Sequence, residues 1–79
     1  MRLPDVRPGQ VWADNDPRCE GRTVRVERIT VLRDTHVAIC TVLTKATRAT
    51  MDRTVGRQTV IAVRRFRPNS TGYRLITEV

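Results

Sequence analysis

Arg22 Thr23 Val24 Arg25 Val26 Glu27 Arg28 Ile29 Thr30 Val31 Leu32 is the stretch from which the fold can be read. Its first half alternates polar and apolar side chains, the period of a strand with one face buried and the other in water. Its apolar members are mostly β-branched, and such side chains suit a pleated surface better than a helix. Midway the phase slips: Val24 and Val26 stand on even numbers, Ile29 and Val31 on odd ones. An unbroken strand would turn its apolar face outward there, so a bulge or sharp bend is expected near Glu27 and Arg28. Small barrels need bends of this kind to close.

The neighbouring segments complete a sheet. Arg33 Asp34 Thr35 reads as a tight turn, and His36 to Thr44 as the next strand, largely apolar through Val37, Ala38, Ile39, Cys40, Val42 and Leu43. Toward the N-terminus, Ala13 to Gly21 concentrates Asp14, Asn15, Asp16, Pro17 and Gly21, all turn formers, and reads as a surface loop. Before it, Gly9 to Trp12 makes a short first strand. Residues 1 to 8 form an extended lead-in, because Pro4 and Pro8 each remove a backbone donor and push the preceding residue out of the helical region.

Toward the C-terminus, residues 45 to 57 lack a clear apolar face and read as a long basic hairpin loop. A single helical turn within Lys45 to Arg53 is tolerable, but Thr47, Thr50 and Thr54 weaken anything longer. Gln58 to Arg65 resumes as a fourth strand, with Ile61 and Val63 alternating against Val60 and Ala62. Phe66 to Gly72 then breaks the ladder in a tight turn or single 3-10 turn, and Tyr73 to Glu78 closes it. The expected architecture is one all-β domain over residues 1 to 79, a small SH3-like barrel of about five antiparallel strands. No internal repeat interrupts it.

A chain of 79 residues suffices for one domain, and a domain this small buries only about 60% of the surface its unfolded chain exposes. Aromatic content is 4%, namely Trp12, Phe66 and Tyr73, so Val, Ile and Leu must fill most of the core. Trp12 is expected to be the main core residue; exposed beside the Asp14 to Gly21 loop, it would instead anchor a partner. Cys19 and Cys40 are too few for the disulfide framework of a secreted domain, which suits a reducing cytoplasm. Met1 to Gln10 carries no apolar run, so neither a signal peptide nor a membrane span is expected.

Charge is the strongest compositional signal. Fifteen Lys and Arg face eight Asp and Glu, a formal net charge of +7, and Lys45 is the sole lysine. Arginine's planar fork grips phosphate or carboxylate and stacks on bases, whereas a GC-rich genome would raise arginine whatever its task. Either way the excess draws the protein to a polyanion: nucleic acid, an acidic protein surface or anionic lipid.

Candidate chemistry narrows further. His36 and Cys40 have a zinc-like spacing for a helix, but in a strand four residues span about 13 Å, too far for ligands of one ion at roughly 2.0 to 2.3 Å. Asp14, Asp16 and Glu20 lack the glycine that a calcium loop needs at its sixth position, which Cys19 occupies. Asp14 and Asp16 are expected instead to cap backbone donors of their own loop and to pair with Arg18 or Arg22. No cofactor or metal is expected. His36 and Ser70 are the only residues of their kinds and no motif surrounds either, so a binding module is expected rather than an enzyme.

Two basic sets remain as binding candidates. Lys45, Arg48, Arg53 and Arg57, among small Thr and Ala, would let the long loop lie along a phosphate backbone, or would simply solvate it. Arg64, Arg65, Arg67 and Arg74 surround Phe66 and Tyr73, whose rings would either stack a base or plug the end of the barrel. A third group, Arg22, Arg25 and Arg28, is expected to balance Asp34 and Glu27 on a solvated face.

Pro8 Gly9 Gln10 Val11 Trp12, Asp14 Asn15 Asp16 Pro17 Arg18, Gly21 Arg22, Arg65 Phe66 Arg67 Pro68 and Gly72 Tyr73 Arg74 Leu75 together resemble short, basic, SH3-like proteins of actinobacteria and their phages. The resemblance covers nearly the whole chain and carries no established activity. It implies a compact domain, a phage or mobile-element origin, and host macromolecules as targets. Lys45 to Gly56 is longer than the corresponding stretch in those proteins. The function expected is phosphate-directed nucleic-acid binding without strong sequence specificity, the alternative being an interaction module for an acidic host protein. A monomer or weak homodimer in the cytoplasm, away from membranes, completes the expectation.

Overall fold

A computed structural model describes residues 4–44 and 55–77. Five antiparallel strands form one sheet: β1 (Val11–Asp14), β2 (Thr23–Leu32), β3 (Thr35–Thr44), β4 (Gln58–Ala62) and β5 (Tyr73–Thr77), in the order β4-β3-β2-β1-β5. Two 3-10 turns, Pro17–Cys19 and Val63–Arg65, are the only helical elements among the described residues. None is long and apolar enough to cross a membrane. The expected all-β fold of five antiparallel strands is therefore what the chain forms. The hydrogen-bonded ladder stays open, with β4 and β5 as its edges, and the segment from Val63 to Gly72 crosses from one edge to the other.

The phase slip in β2 is a bulge. Val26 pairs with Cys40 and Arg28 with Ile39, leaving Glu27 as the extra residue. It keeps Val24 and Val26 buried on one side of the slip and Ile29 packed against the same core on the other. That core contains Trp12, Val24, Val26, Ala38, Cys40, Val42, Ile61, Phe66 and Tyr73. Trp12 meets Phe66 edge to face at 5.0 Å between centroids, and Phe66 lies tilted against Tyr73 at 5.2 Å. All three aromatic side chains of the chain are thus spent on the interior, and Trp12 is a core residue rather than a partner anchor.

Several boundaries differ from the sequence reading. Ala13 and Asp14 belong to β1 rather than to the loop, because β1 is paired on both sides, Ala13 with Thr23 and with Arg74. The fourth strand ends at Ala62, and Val63–Arg65 is already a 3-10 turn, with Phe66 N donating to Val63 O at 3.0 Å. A strand-like alternation continues through Val63 because the turn still buries that side chain, so periodicity alone could not mark the break.

A buried glutamine secures the lead-in. Gln10 is 1% exposed; its Oε1 accepts from Arg7 N at 2.7 Å and from the Trp12 indole Nε1 at 3.2 Å. Its Nε2 donates to Asp5 O at 3.3 Å. The amide thereby satisfies the one polar atom of a core indole and pins residues 5 to 7 beside it.

The β2–β3 hairpin turns through Arg33 and Asp34 alone, at φ 48° and 64°. Two central residues of positive φ define the type I′ turn that matches strand twist, and Asn-Gly fits it with less strain than Arg-Asp. The double replacement Arg33→Asn with Asp34→Gly should therefore stabilise the domain by about 1 kcal/mol, a rise of roughly 4 to 8 °C in thermal melting. A lower melting temperature would contradict the turn assignment.

Candidate functional site

Charge divides the described chain unevenly. Between residues 4 and 44 there are six arginines and six carboxylates; between 55 and 77 there are five arginines and no carboxylate. The acids of the first part are largely engaged locally. Asp5 pairs with Arg7 at 2.7 Å, Asp16 with Arg18 at 2.8 Å, Asp14 with Arg22 at 3.1 Å and Glu27 with Arg25 at 2.8 Å. Residues 55–77 thus hold five positive charges and no negative one of their own, a feature that segment-by-segment charge counting finds in the sequence.

Three of those arginines meet on the crossover. Arg64, Arg65 and Arg67 line a shallow cleft of about 390 Å³ with Asn69, Thr71 and Gly72. The backbone beneath it is heavily tied. Arg67 O accepts from Asn69 N and Tyr73 N, each at 2.8 Å, and Gly72 N donates to Asn69 O at 3.1 Å. Asn69 Oδ1 accepts from Thr71 N at 3.2 Å. From outside the segment, Asn15 N donates to Gly72 O at 2.9 Å and Asn15 Nδ2 to Asn69 O at 3.2 Å. Donors of one sign on a braced loop make a platform for an anion.

The arginines divide the work. The Arg65 guanidinium donates to Thr71 O at 3.2 Å and lies 5.7 Å from the Tyr73 ring centroid, so it braces the loop as well as lining the cleft. Arg64 is exposed and has no hydrogen bond or ion pair with the described residues. It also borders a smaller depression with Asp34, Thr35 and His36.

The remaining expected residues lie elsewhere. Lys45, Arg48 and Arg53 lie outside the described residues. Arg57 precedes β4, whose five residues at about 3.3 Å each separate it from the crossover. Arg74 donates to Asn15 Oδ1 at 2.9 Å and borders a second cleft of about 430 Å³. That cleft mixes Arg22 and Arg74 with Asp14, Asp16 and Glu20, so it carries no single sign. Phe66 and Tyr73 are each 2% exposed, so of their two expected readings they plug the interior and do not stack a base: their faces are taken by the core. Asn15, Asn69 and Gly72, which shape the cleft, are polar or small loop residues without periodicity to betray them.

The first loop behaves as its residue types dictate. Asp14 Oδ1 accepts from Asp16 N at 3.0 Å, and Asp16 caps the first 3-10 turn through Arg18 N at 2.9 Å. Hydrogen bonds from Arg18, side chain and backbone, hold the Asp16 carboxyl down at about 2. Among the described residues no cluster of three His, Cys, Asp or Glu could hold a metal. Polar contacts also reach the core edge here: Arg22 Nη1 donates both to Asp14 Oδ2 and to the Tyr73 hydroxyl, each at 3.1 Å.

The neutral acids of the core give an alkaline signature. Burial pushes the Cys40 thiol up to about 12 from its usual 9.0. Burial, then the Asp14 carboxylate, raises Tyr73, with Arg22 opposing. A raised pKa means the unfolded chain gives up its proton first, so this stability is complete below about pH 9 and drains between 9 and 12. Removing the thiol with Cys40→Ala should flatten that decline by about 1.4 kcal/mol per pH unit. Urea titrations at intervals above pH 9 check this; identical slopes in both proteins would refute it.

A small antiparallel β domain whose crossover carries an arginine-lined, acid-free cleft is thus the class of protein that fold and site define. The chain belongs to a family of unknown function (DUF6354), which matches residues 1–79. No curated protein and no solved structure matches it.

Proposed function

We propose that this domain is a binding module for nucleic acid, contacting phosphates through Arg64, Arg65 and Arg67 and reading little sequence. The observation that carries the reading is the braced Val63–Gly72 crossover, which gathers three arginines around one cleft in a stretch free of carboxylates. Arginine forks suit phosphate oxygens, and counterion release from a polyanion supplies the driving force. Among the described residues there is no α-helix to enter a major groove, which fits backbone contact rather than base readout. In this reading the protein is a non-catalytic module of the cytoplasm, of the host cytoplasm where a phage encodes it, and needs no cofactor.

Fluorescence anisotropy with labelled DNA tests it. Arg64→Glu should weaken binding about tenfold near 0.1 M salt and lower the log-log salt slope by about 1. Since Arg64 is exposed and unpartnered among the described residues, folding stability should move by less than about 0.5 kcal/mol. Salt-independent binding, or affinity indifferent to the change, would reject the proposal. So would a pulldown from nuclease-treated lysate that retains one acidic protein while purified DNA and RNA fail to bind.

A further inference from the structure

We infer that the nucleic acid this surface selects is duplex rather than single-stranded, held by its regular row of phosphates. The inference rests on the reading above and adds the strandedness of the ligand. Single strands without secondary structure are captured mainly by stacking exposed bases on aromatic faces, the contact that compensates for ordering a flexible chain. This chain has three aromatic residues, and all are interior: Trp12 is 6% exposed, Phe66 and Tyr73 2% each. Trp12 and Tyr73 both pack on Phe66, and the outer side of Tyr73 meets the Arg65 guanidinium, so no ring is left to receive a base.

What the surface does offer is a cluster of cations on a braced backbone. Arg64, Arg65 and Arg67 project from a crossover tied by its own backbone bonds, by Asn69 and by Asn15 from the first loop. Guanidinium groups carried on a braced backbone suit a partner whose phosphates are already fixed in spacing, which a duplex provides and a single strand must be ordered to provide. Charge density points the same way. Each neutralised phosphate contributes a salt slope of about 0.9 on duplex DNA and about 0.7 on single strands. Three contacts then give slopes of about 2.7 and 2.1, and a duplex preference of about fourfold near 0.1 M salt from counterion release alone.

The experiment compares the full chain binding a labelled duplex of roughly 20 base pairs with either of its separated strands across a salt series, for wild type and Arg64→Glu. The expected result is duplex binding at least about fourfold tighter near 0.1 M salt, with the steeper slope, and a larger loss on duplex than on single strand in the variant. Equal or tighter binding of the single strand, with Arg64→Glu weakening both alike, would overturn the duplex inference while leaving nucleic-acid binding intact. Failure of both DNAs to bind would overturn the nucleic-acid reading itself.

Discussion

Gly72→Ala is expected to be the most damaging single-methyl change in this domain, costing roughly 3 kcal/mol. Gly72 is buried where the crossover turns into β5. A Cβ there would overlap Arg67 O and come within 2.6 Å of Asn69 Oδ1 and 2.9 Å of Arg65 O. Two of the three obstacles are backbone carbonyls, and Arg67 O already accepts from Asn69 N and Tyr73 N. The methyl cannot be accommodated without breaking the bonds that hold the cleft. Gly56→Ala provides the contrast: its φ is +82° but nothing lies within 4 Å of the added atom, so only the conformational cost, about 1 kcal/mol, is expected. Urea unfolding of both variants checks the pair; a Gly72→Ala protein as stable as Gly56→Ala would show that the crossover is not packed as described.

Phe66→Ala should cost about 3 to 5 kcal/mol. The ring is the hub between Trp12 and Tyr73, and a short sheet with so few large side chains cannot collapse into the space it leaves. A domain of this size holds a total stability at the lower end of about 5 to 15 kcal/mol, so the variant should be largely unfolded near its ordinary melting range. Phe66→Leu restores most of the buried area and forfeits mainly the ring pairing, about 0.5 to 1.5 kcal/mol. Near-ultraviolet circular dichroism, which reports the fixed environment of Trp12 and Tyr73, should collapse in the first variant and persist in the second.

How much of this was legible beforehand depends on the physical signal each feature leaves. Alternation exposed β2, and the shift from even to odd positions placed a bulge near Glu27 and Arg28, which the pairing puts at Glu27, because a half-buried strand must keep its apolar face on one side. Loop chemistry announced the pairing of Asp14 and Asp16 with Arg22 and Arg18. The end of β4 left no such trace, since Val63 stays buried in a 3-10 turn as it would in a strand. Gln10 was equally silent: its place in the first strand says nothing of burial, and only the three-dimensional proximity of Trp12, Arg7 and Asp5 makes it interior.

The candidate site was half visible. Arg64, Arg65 and Arg67 stand out by composition, and of the two readings of Phe66 and Tyr73 the structure bears out the plug, because a core with only three aromatic rings draws all of them inward. Arg74 shares their sequence neighbourhood but lies on β5 against Asn15, where strand geometry carries it to the other cleft. Sequence adjacency already groups Arg64, Arg65 and Arg67; what no local pattern encodes is the bracing of their segment by Asn15 from the first loop.

Backbone amide shifts followed by NMR during titration with duplex DNA test the central claim most directly. Large, saturable shifts concentrated on Arg64 to Gly72 and on Asn15 beside them, diminishing as salt is added, are the predicted result. Shifts centred on Arg25 and Arg28 of β2, or on residues 45 to 54, with the crossover unmoved, would contradict it.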